Sequence, residues 1–247
     1  MAVATQVQHH IKCKPGDIGK TVLLPGDPGR AKLIANYFED ARPIAANREF
    51  HTFTGKVDGV TVSTISTGVG APSASITVEE AINIGARNLI RVGTCGALQE
   101  DIVPGELIIA TAAVRGDGTT PEYIPLSYPA VADFTLLRAL VDAAEELGID
   151  YRLGIVRTHD AFYIESPFAH GDYKQRIKVW SDSKVLAVEN EAAAIFVVSS
   201  LRGCAGAALL VPAGNLVTGR EIKSPDEIEK GIDAMIRVAL RAAVKLG

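Results

Sequence analysis

The residues that could do chemistry sit where charges interrupt apolar runs. Arg91 breaks the run Asn88-Leu-Ile-Arg-Val92, which leads into Gly93-Thr94-Cys95-Gly96. The run reads as a buried strand that stops at a loop where backbone can approach a ligand, and such loops at strand C-termini are where open α/β sheets bind ligands. A charge inside such a run needs an anionic partner, and a structural carboxylate and a bound anion fit equally well. Arg30 follows Pro25-Gly-Asp-Pro-Gly29, a glycine-bearing turn between an apolar strand and a helical pattern. Free N–H groups at a helix start favour an anion. An arginine in the first turn opposes the helix dipole, which makes sense with an anion between them, although a plain surface turn has the same composition. Glu189-Asn-Glu191 lies where the apolar strand Val185–Val188 meets an apolar helix. Two carboxylates there are costly to bury unless they bond something, and helix capping explains one more readily than both. Phe162-Tyr163 follows another strand and fits either stacking on a flat ligand or core packing. Cys95 reads as a small packed thiol, because no histidine or asparagine presents itself as its base.

Composition narrows what those residues act on. With 247 residues, 47% hydrophobic and 22% charged, the chain is an ordinary globular protein long enough for a large core, and one domain over 1–247 is expected. A net charge of −4 and no long Lys/Arg cluster argue against nucleic acid or an anionic membrane, leaving room for a local basic pocket and a small ligand. Three widely spaced cysteines, Cys13, Cys95 and Cys204, suggest neither a disulfide framework nor a zinc site. A polar N-terminus and no membrane-length apolar run point to the cytoplasm.

The elements that must position these residues alternate strand, loop and helix. Thr21–Leu24 is a strand before the Arg30 helix, and Glu49–Gly55 with Val60–Ile65 forms a hairpin about Asp58-Gly59. Thr67–Ser73 is a loop of small residues leading to a helix that ends before Gly85. Glu106–Val114 is a strand buried on both faces. Residues 115–130 form a long excursion, Val131–Leu147 a helix closed by Gly148, and Tyr151–Val156 a strand. Ala192–Arg202 is a helix and Ala207–Val211 a strand followed by a loop at Pro212–Gly219. A terminal helix starts at Ser224-Pro225, capped by the serine. The order is that of an α/β protein: a three-layer α/β/α fold with a twisted, mixed central sheet.

Taken together, Pro25-Gly-Asp-Pro-Gly-Arg30, Asn47-Arg-Glu-Phe50, Ser66–Ser73, Arg91-Val-Gly-Thr-Cys-Gly96 and Val188-Glu-Asn-Glu191 resemble, in order and spacing, the nucleoside phosphorylase family of uridine phosphorylase and the hexameric purine nucleoside phosphorylases. The resemblance spans nearly the whole chain. It implies phosphorolysis: phosphate attacks C1′ of a nucleoside, releasing the base and ribose 1-phosphate. Gly26, Arg30, Arg91 and Thr94 would hold the phosphate, with Arg48 reaching it from a neighbouring subunit. Glu191 would accept from the ribose hydroxyls with Glu189 and Asn190 nearby, Phe162 would pack on the base, and His10 would reach into the neighbour's site. Arg91 and Glu191 are thus the expected catalytic residues. The implied assembly is a homo-oligomer, a hexamer built of dimers. No metal or organic cofactor is required, while Glu49 and Ser73 match positions that resemble a potassium site between paired subunits in uridine phosphorylase and fit a structural role equally well.

Base recognition departs from both branches. Purine-specific relatives carry Ser-Asp after the strand ending at Val211, where this chain has Pro212-Ala-Gly-Asn215. Uridine-specific relatives carry Gln and Arg shortly after the Phe162-Tyr163 pair, where this chain has Ile164–His170. Asn190 stands in place of a usual Met. His159, Asn190 or Asn215 would have to substitute at the base, with Asn215 the expected contact beside Phe162, a lean to uridine and tolerance of purines. The alternatives are a purine nucleoside phosphorylase, a phosphate-independent nucleosidase of the same fold, and a nucleoside-binding protein without turnover.

Overall fold

A computed structural model describes residues 6–163, 166, 168, 170–221 and 225–247. Thr21–Leu24 (β1) is buried along its whole length and runs parallel to both Val60–Ile65 (β4) and Asn88–Ala97 (β5). Between β1 and β4 come the helix Pro28–Ala35 (α1) and the strands Glu39–Asn47 (β2) and Phe50–Val57 (β3). The β3–β4 hairpin turns at Asp58 and Gly59, with φ of 48° and 80°, the left-handed pair that a two-residue turn requires. Ala71–Asn83 (α2) links β4 to β5.

The second half supplies Leu107–Gly116 (β6), Thr120–Tyr123 (α3), Ala130–Val131 (β7), Phe134–Leu147 (α4) and Tyr151–His159 (β8). After these come Tyr173–Asp182 (α5), Ala187–Glu189 (β9), Ala192–Leu201 (α6), Ala205–Asn215 (β10), Arg220–Glu221 (β11) and Pro225–Leu246 (α7). Among the described residues the strands form one eleven-stranded mixed sheet. Two apolar clusters cover its faces. One gathers α2 and α6 through Val78, Ala81, Ile195 and Phe196, the other α1, α4 and α7 through Ile34, Leu140, Met235 and Leu240. The three layers match the expectation.

Two local expectations need correction. β5 does not stop at Gly93. It continues to Ala97 because β10 pairs with it in parallel from Ala205 to Asn215 and β9 pairs antiparallel at Gly96 and Ala97. β10 likewise runs through Pro212 to Asn215 with a register shift between Pro212 and Gly214, where a loop was expected. Because β10 also pairs with β6, β6 with β8, and β8 with β9, this half of the sheet closes into a ring, while β1, β4, β3 and β2 extend from it as an open sheet. The excursion after β6 is wound around Arg115, which donates to the carbonyls of Ile124, Pro125 and Tyr128 and to Thr120 Oγ1. β2 and α5 were not anticipated, and the expected cap Ser224 lies outside the described residues.

Candidate active site

Two adjoining cavities open where β1, β4, β5 and β9 end. One, of about 500 Å³, is walled by Gly26, Arg30, Glu49, Arg91 and Glu191 among others. The other, of about 320 Å³, is walled by β8, α5 and the ends of β9 and β10. Thr94, Phe162 and Asn190 belong to both walls.

The larger cavity is built by two laced loops. Thr67 and Gly68 donate their N–H groups to the carbonyls of Pro25 and Gly26 (2.9 and 3.0 Å), so the β1–α1 and β4–α2 loops are tied to each other. Gly68, at φ +69°, presses so close that a Cβ there would lie 2.7 Å from Glu49 Cγ. Asp27 caps α1, accepting from the N–H groups of Gly29 and Arg30 (2.9 and 3.2 Å). Those two amides are therefore not free for an anion, contrary to the sequence expectation. Arg30 itself faces the cavity. Burial and then the charge of Arg91 push its pKa down, as two like charges facing one space require.

Arg91 lies over Gly93. A Cβ at Gly93 would sit 2.7 Å from Arg91 Cζ, so only glycine leaves room two positions along the same face of β5. Arg91 Nη2 is 2.6 Å from Glu191 Oε2, and Nε is 2.7 Å from Glu189 Oε2. The Nε–H does not point along that second line and has no directed hydrogen bond, so the contact with Glu189 is one of charge. Burial works against the charge of Arg91, but Glu191 and Glu189 outweigh it and hold its pKa above the ordinary value.

The two glutamates divide their work. Glu189 Oε2 accepts from the N–H groups of Glu191 and Ala192 (2.8 and 2.9 Å), capping α6, and Oε1 accepts from Thr158 Oγ1 at 2.5 Å. Its carboxylate is sealed by protein, which makes it a positioning group. Glu191 Oε1 accepts from Gly70 N–H at the start of α2 (2.6 Å), and its carboxylate faces the larger cavity. Burial raises the pKa of Glu191 against the lowering pull of Arg91. Asn190 donates to the carbonyl of His159 and stands at the junction of the cavities. Cys95 is buried with its thiol pKa raised by burial and next by Glu189, which keeps it a neutral packed thiol.

Several expected residues lie elsewhere. Asn215 does not read a ligand: its Nδ2 donates to the carbonyls of Gln99 and Ile102 and its Oδ1 accepts from Val217 and Thr218, so the buried amide is fully spent on a turn. Neither Arg48 nor His10 lines the cavities of its own chain. Arg48 is exposed at the β2–β3 turn with φ +53°. His10 Nδ1 is 2.7 Å from Glu80 Oε1, and its ring lies edge-on to His9 and Phe50. Glu49 and Ser73 do meet, with Ser73 Oγ 3.1 Å from Glu49 Oε1 and against the Thr67 carbonyl. Among the described residues no group of three or more His, Cys, Asp and Glu side chains converges as for a metal. Phe162 is 67% exposed and packs edge-on to Tyr163 at 5.1 Å. Arg157, Arg176 and Trp180 in the smaller cavity were missed. The alternation of Arg157 with His159 on β8 and the i, i+4 spacing of Arg176 and Trp180 were the available signals.

The larger cavity of this α/β/α protein thus presents two arginines and a carboxylate to one space, with the inner arginine shared by two buried glutamates. The chain belongs to the phosphorylase superfamily, whose family model matches residues 20–244. It is 41% identical to a uridine phosphorylase of Treponema pallidum over all of this chain and 96% of that one. It is 36% identical to a guanosine phosphorylase of Halorubrum lacusprofundi over 97% and 99% of the two chains. Among solved structures, a uridine phosphorylase from Vibrio fischeri superposes with a TM-score of 0.90 at 33% identity, over 99% of this chain and 98% of that one.

Proposed function

We propose that the protein cleaves nucleosides by phosphorolysis, with uridine the favoured substrate and purine nucleosides second. The observation that carries this is the pair of arginines, Arg30 and Arg91, facing one cavity that the carboxylate of Glu191 also lines. A nucleosidase that uses water would have little need of two facing cations. Arg30, Arg91, Thr94 and the Gly26 backbone hold phosphate below C1′, and Arg48 joins them from a second copy. Glu191 accepts hydrogen bonds from the ribose hydroxyls, Glu189 and Asn190 hold it in place, and Phe162 covers the base.

As the C1′–N bond breaks, the base leaves with the bonding pair and the ribosyl ring gains positive charge. A phosphate oxygen then closes the new bond to C1′. The carboxylate and the phosphate dianion both face that growing charge, so they stabilise the transition state more than the ground state. The chemistry needs no metal or organic cofactor. Glu49 and Ser73 offer hard oxygen donors that suit a potassium ion shared with a paired subunit. His10 of a neighbouring copy reaches the ribose 5′-hydroxyl, which makes the working unit a homo-oligomer, a dimer at least and a hexamer of dimers in full. Among the described residues no helix is long and apolar enough to cross a membrane, and we place the enzyme in the cytoplasm. The test is cleavage of uridine, inosine, guanosine and adenosine with and without phosphate. Release of base should require phosphate, and equal rates in its absence would end this reading.

A further inference from the structure

The smaller cavity carries charge for which phosphorolysis at C1′ has no use. Arg157 and His159 project from one face of β8, and the guanidinium of Arg157 lies over the ring of Trp180 with Cζ 4.9 Å from its centroid. Trp180 sits on α5 one turn after Arg176, and all four residues wall the cavity. Nε of Arg157 and Nδ1 of His159 are buried without hydrogen-bond partners, and His159 is only 7% exposed. Among the described residues no carboxylate pairs with Arg157 or Arg176. Unpaired buried polar atoms clustered in one cavity point to a ligand that satisfies them.

The surrounding charges agree. Burial and then Arg176 push the pKa of Arg157 down. Burial and then Arg157 lower that of His159, leaving a neutral ring at pH 7. The two acids near His159 are occupied: Glu189 holds Arg91 and Thr158, and Asp160 accepts from Gly118 N–H at 2.8 Å.

We propose that Arg157, with Arg176 and His159, reads the nucleobase through its carbonyl oxygens, restricting the substrate to nucleosides of oxo bases, uracil and the 6-oxopurines. This rests on the phosphorolysis reading. When the glycosidic bond breaks, the electron pair goes to the base. In uracil it spreads onto both carbonyl oxygens, and in hypoxanthine or guanine onto O6. A guanidinium beside those oxygens binds the departing anion more tightly than the bound nucleoside, and the base takes a proton from water after release. Adenine and cytosine present an amino group where the cavity presents the guanidinium N–H donors of Arg157 and Arg176, and donor meets donor.

The experiment measures kcat/KM for uridine, 5-fluorouridine, inosine and adenosine at saturating phosphate, in the wild type and in Arg157→Met. The wild type should favour uridine and inosine over adenosine. Arg157→Met should lower both by roughly 100-fold, change adenosine little, and leave the KM for phosphate unmoved. The loss should be smaller for 5-fluorouridine, whose base leaves more easily, a difference that a merely structural role would not produce. Calorimetry with free uracil and hypoxanthine should show weakened binding without turnover. If Arg157→Met does not fold, Arg176→Gln on the partly exposed α5 carries the same comparison. A wild type that cleaves adenosine as fast as inosine, or variants that slow all four substrates equally, would overturn the proposal. Loss of phosphate dependence would instead overturn the reading beneath it.

Discussion

Arg91 and Glu191 carry charge where water scarcely reaches, and each is held there by the other. Their legibility in the sequence comes from position alone, since a charge inside an apolar run demands a partner. Their meaning is less legible, because an arginine paired with a structural carboxylate and one awaiting an anion have the same sequence, and this arginine is in the first state while facing a second arginine. Glu191→Gln keeps an oxygen for Gly70 N–H but sets an amide N–H against Arg91. It should lower kcat/KM for a riboside by about 100-fold or more, and much less for a 2′,3′-dideoxynucleoside. Steady-state kinetics on the two substrates decides this, since equal losses would mean that Glu191 does not hold the sugar. His159 offers a pH test. Its folded pKa lies below the ordinary 6.5, because burial and the charge of Arg157 disfavour the imidazolium. The unfolded chain therefore binds the proton first, so the contribution to stability is complete above 6.5 and is lost as pH falls from there through the folded value. His159→Gln should flatten the decline of Tm between pH 7 and pH 5. Asn215 was misread because an amide two positions before a turn and an amide in a binding site look alike in sequence.

At the scale of elements, periodicity found those that bury one face and missed those that do not. α5 buries no residue fully and β2 is mostly exposed, so neither leaves an apolar pattern to read. The glycines of β5 misled for the opposite reason. They signal a loop by composition, yet here they let a strand continue past a folded-back arginine. Gly93→Ala tests that use: its Cβ would meet the movable end of Arg91 and no backbone, so the variant should fold with a small loss of Tm while the KM for phosphate rises several-fold. Gly231 in α7 is the contrasting case, since a Cβ there would lie 2.4 Å from the carbonyl oxygen of Gly105 and 2.8 Å from Val211 Cγ1. Gly231→Ala should cost about 1–3 kcal/mol in denaturant unfolding with kinetics at the site unchanged. A variant as stable as the wild type would mean that α7 shifts freely over the β5–β6 turn.

For the whole molecule, the three layers were legible from element order, while the ring closed by β5, β10, β6, β8 and β9 was not, because strand pairing between distant segments leaves no mark in either one. Subunit sharing has a direct test, since Arg48 does not line the cavities of its own chain. Mixing inactive Arg48→Ala and Arg91→Ala subunits should restore about a quarter of the sites if a two-fold pair exchanges Arg48. Arg91→Ala also strips two buried carboxylates of their cation, at about 3–5 kcal/mol, so the mixture is best formed by co-expression. No recovery would place Arg48 outside the neighbour's site. The bond between Arg91 and Glu191 has a consequence for the order of events. While it stands, one carboxylate oxygen is engaged, and an arriving dianion competes for the same guanidinium. If phosphate draws Arg91 away, as the proposed roles require, that oxygen is released for a sugar hydroxyl and the two substrates become thermodynamically linked. On those proposed roles each should tighten the other's binding by an equal factor, the contact proposed for the sugar being held shut beforehand by the group proposed to recruit the nucleophile.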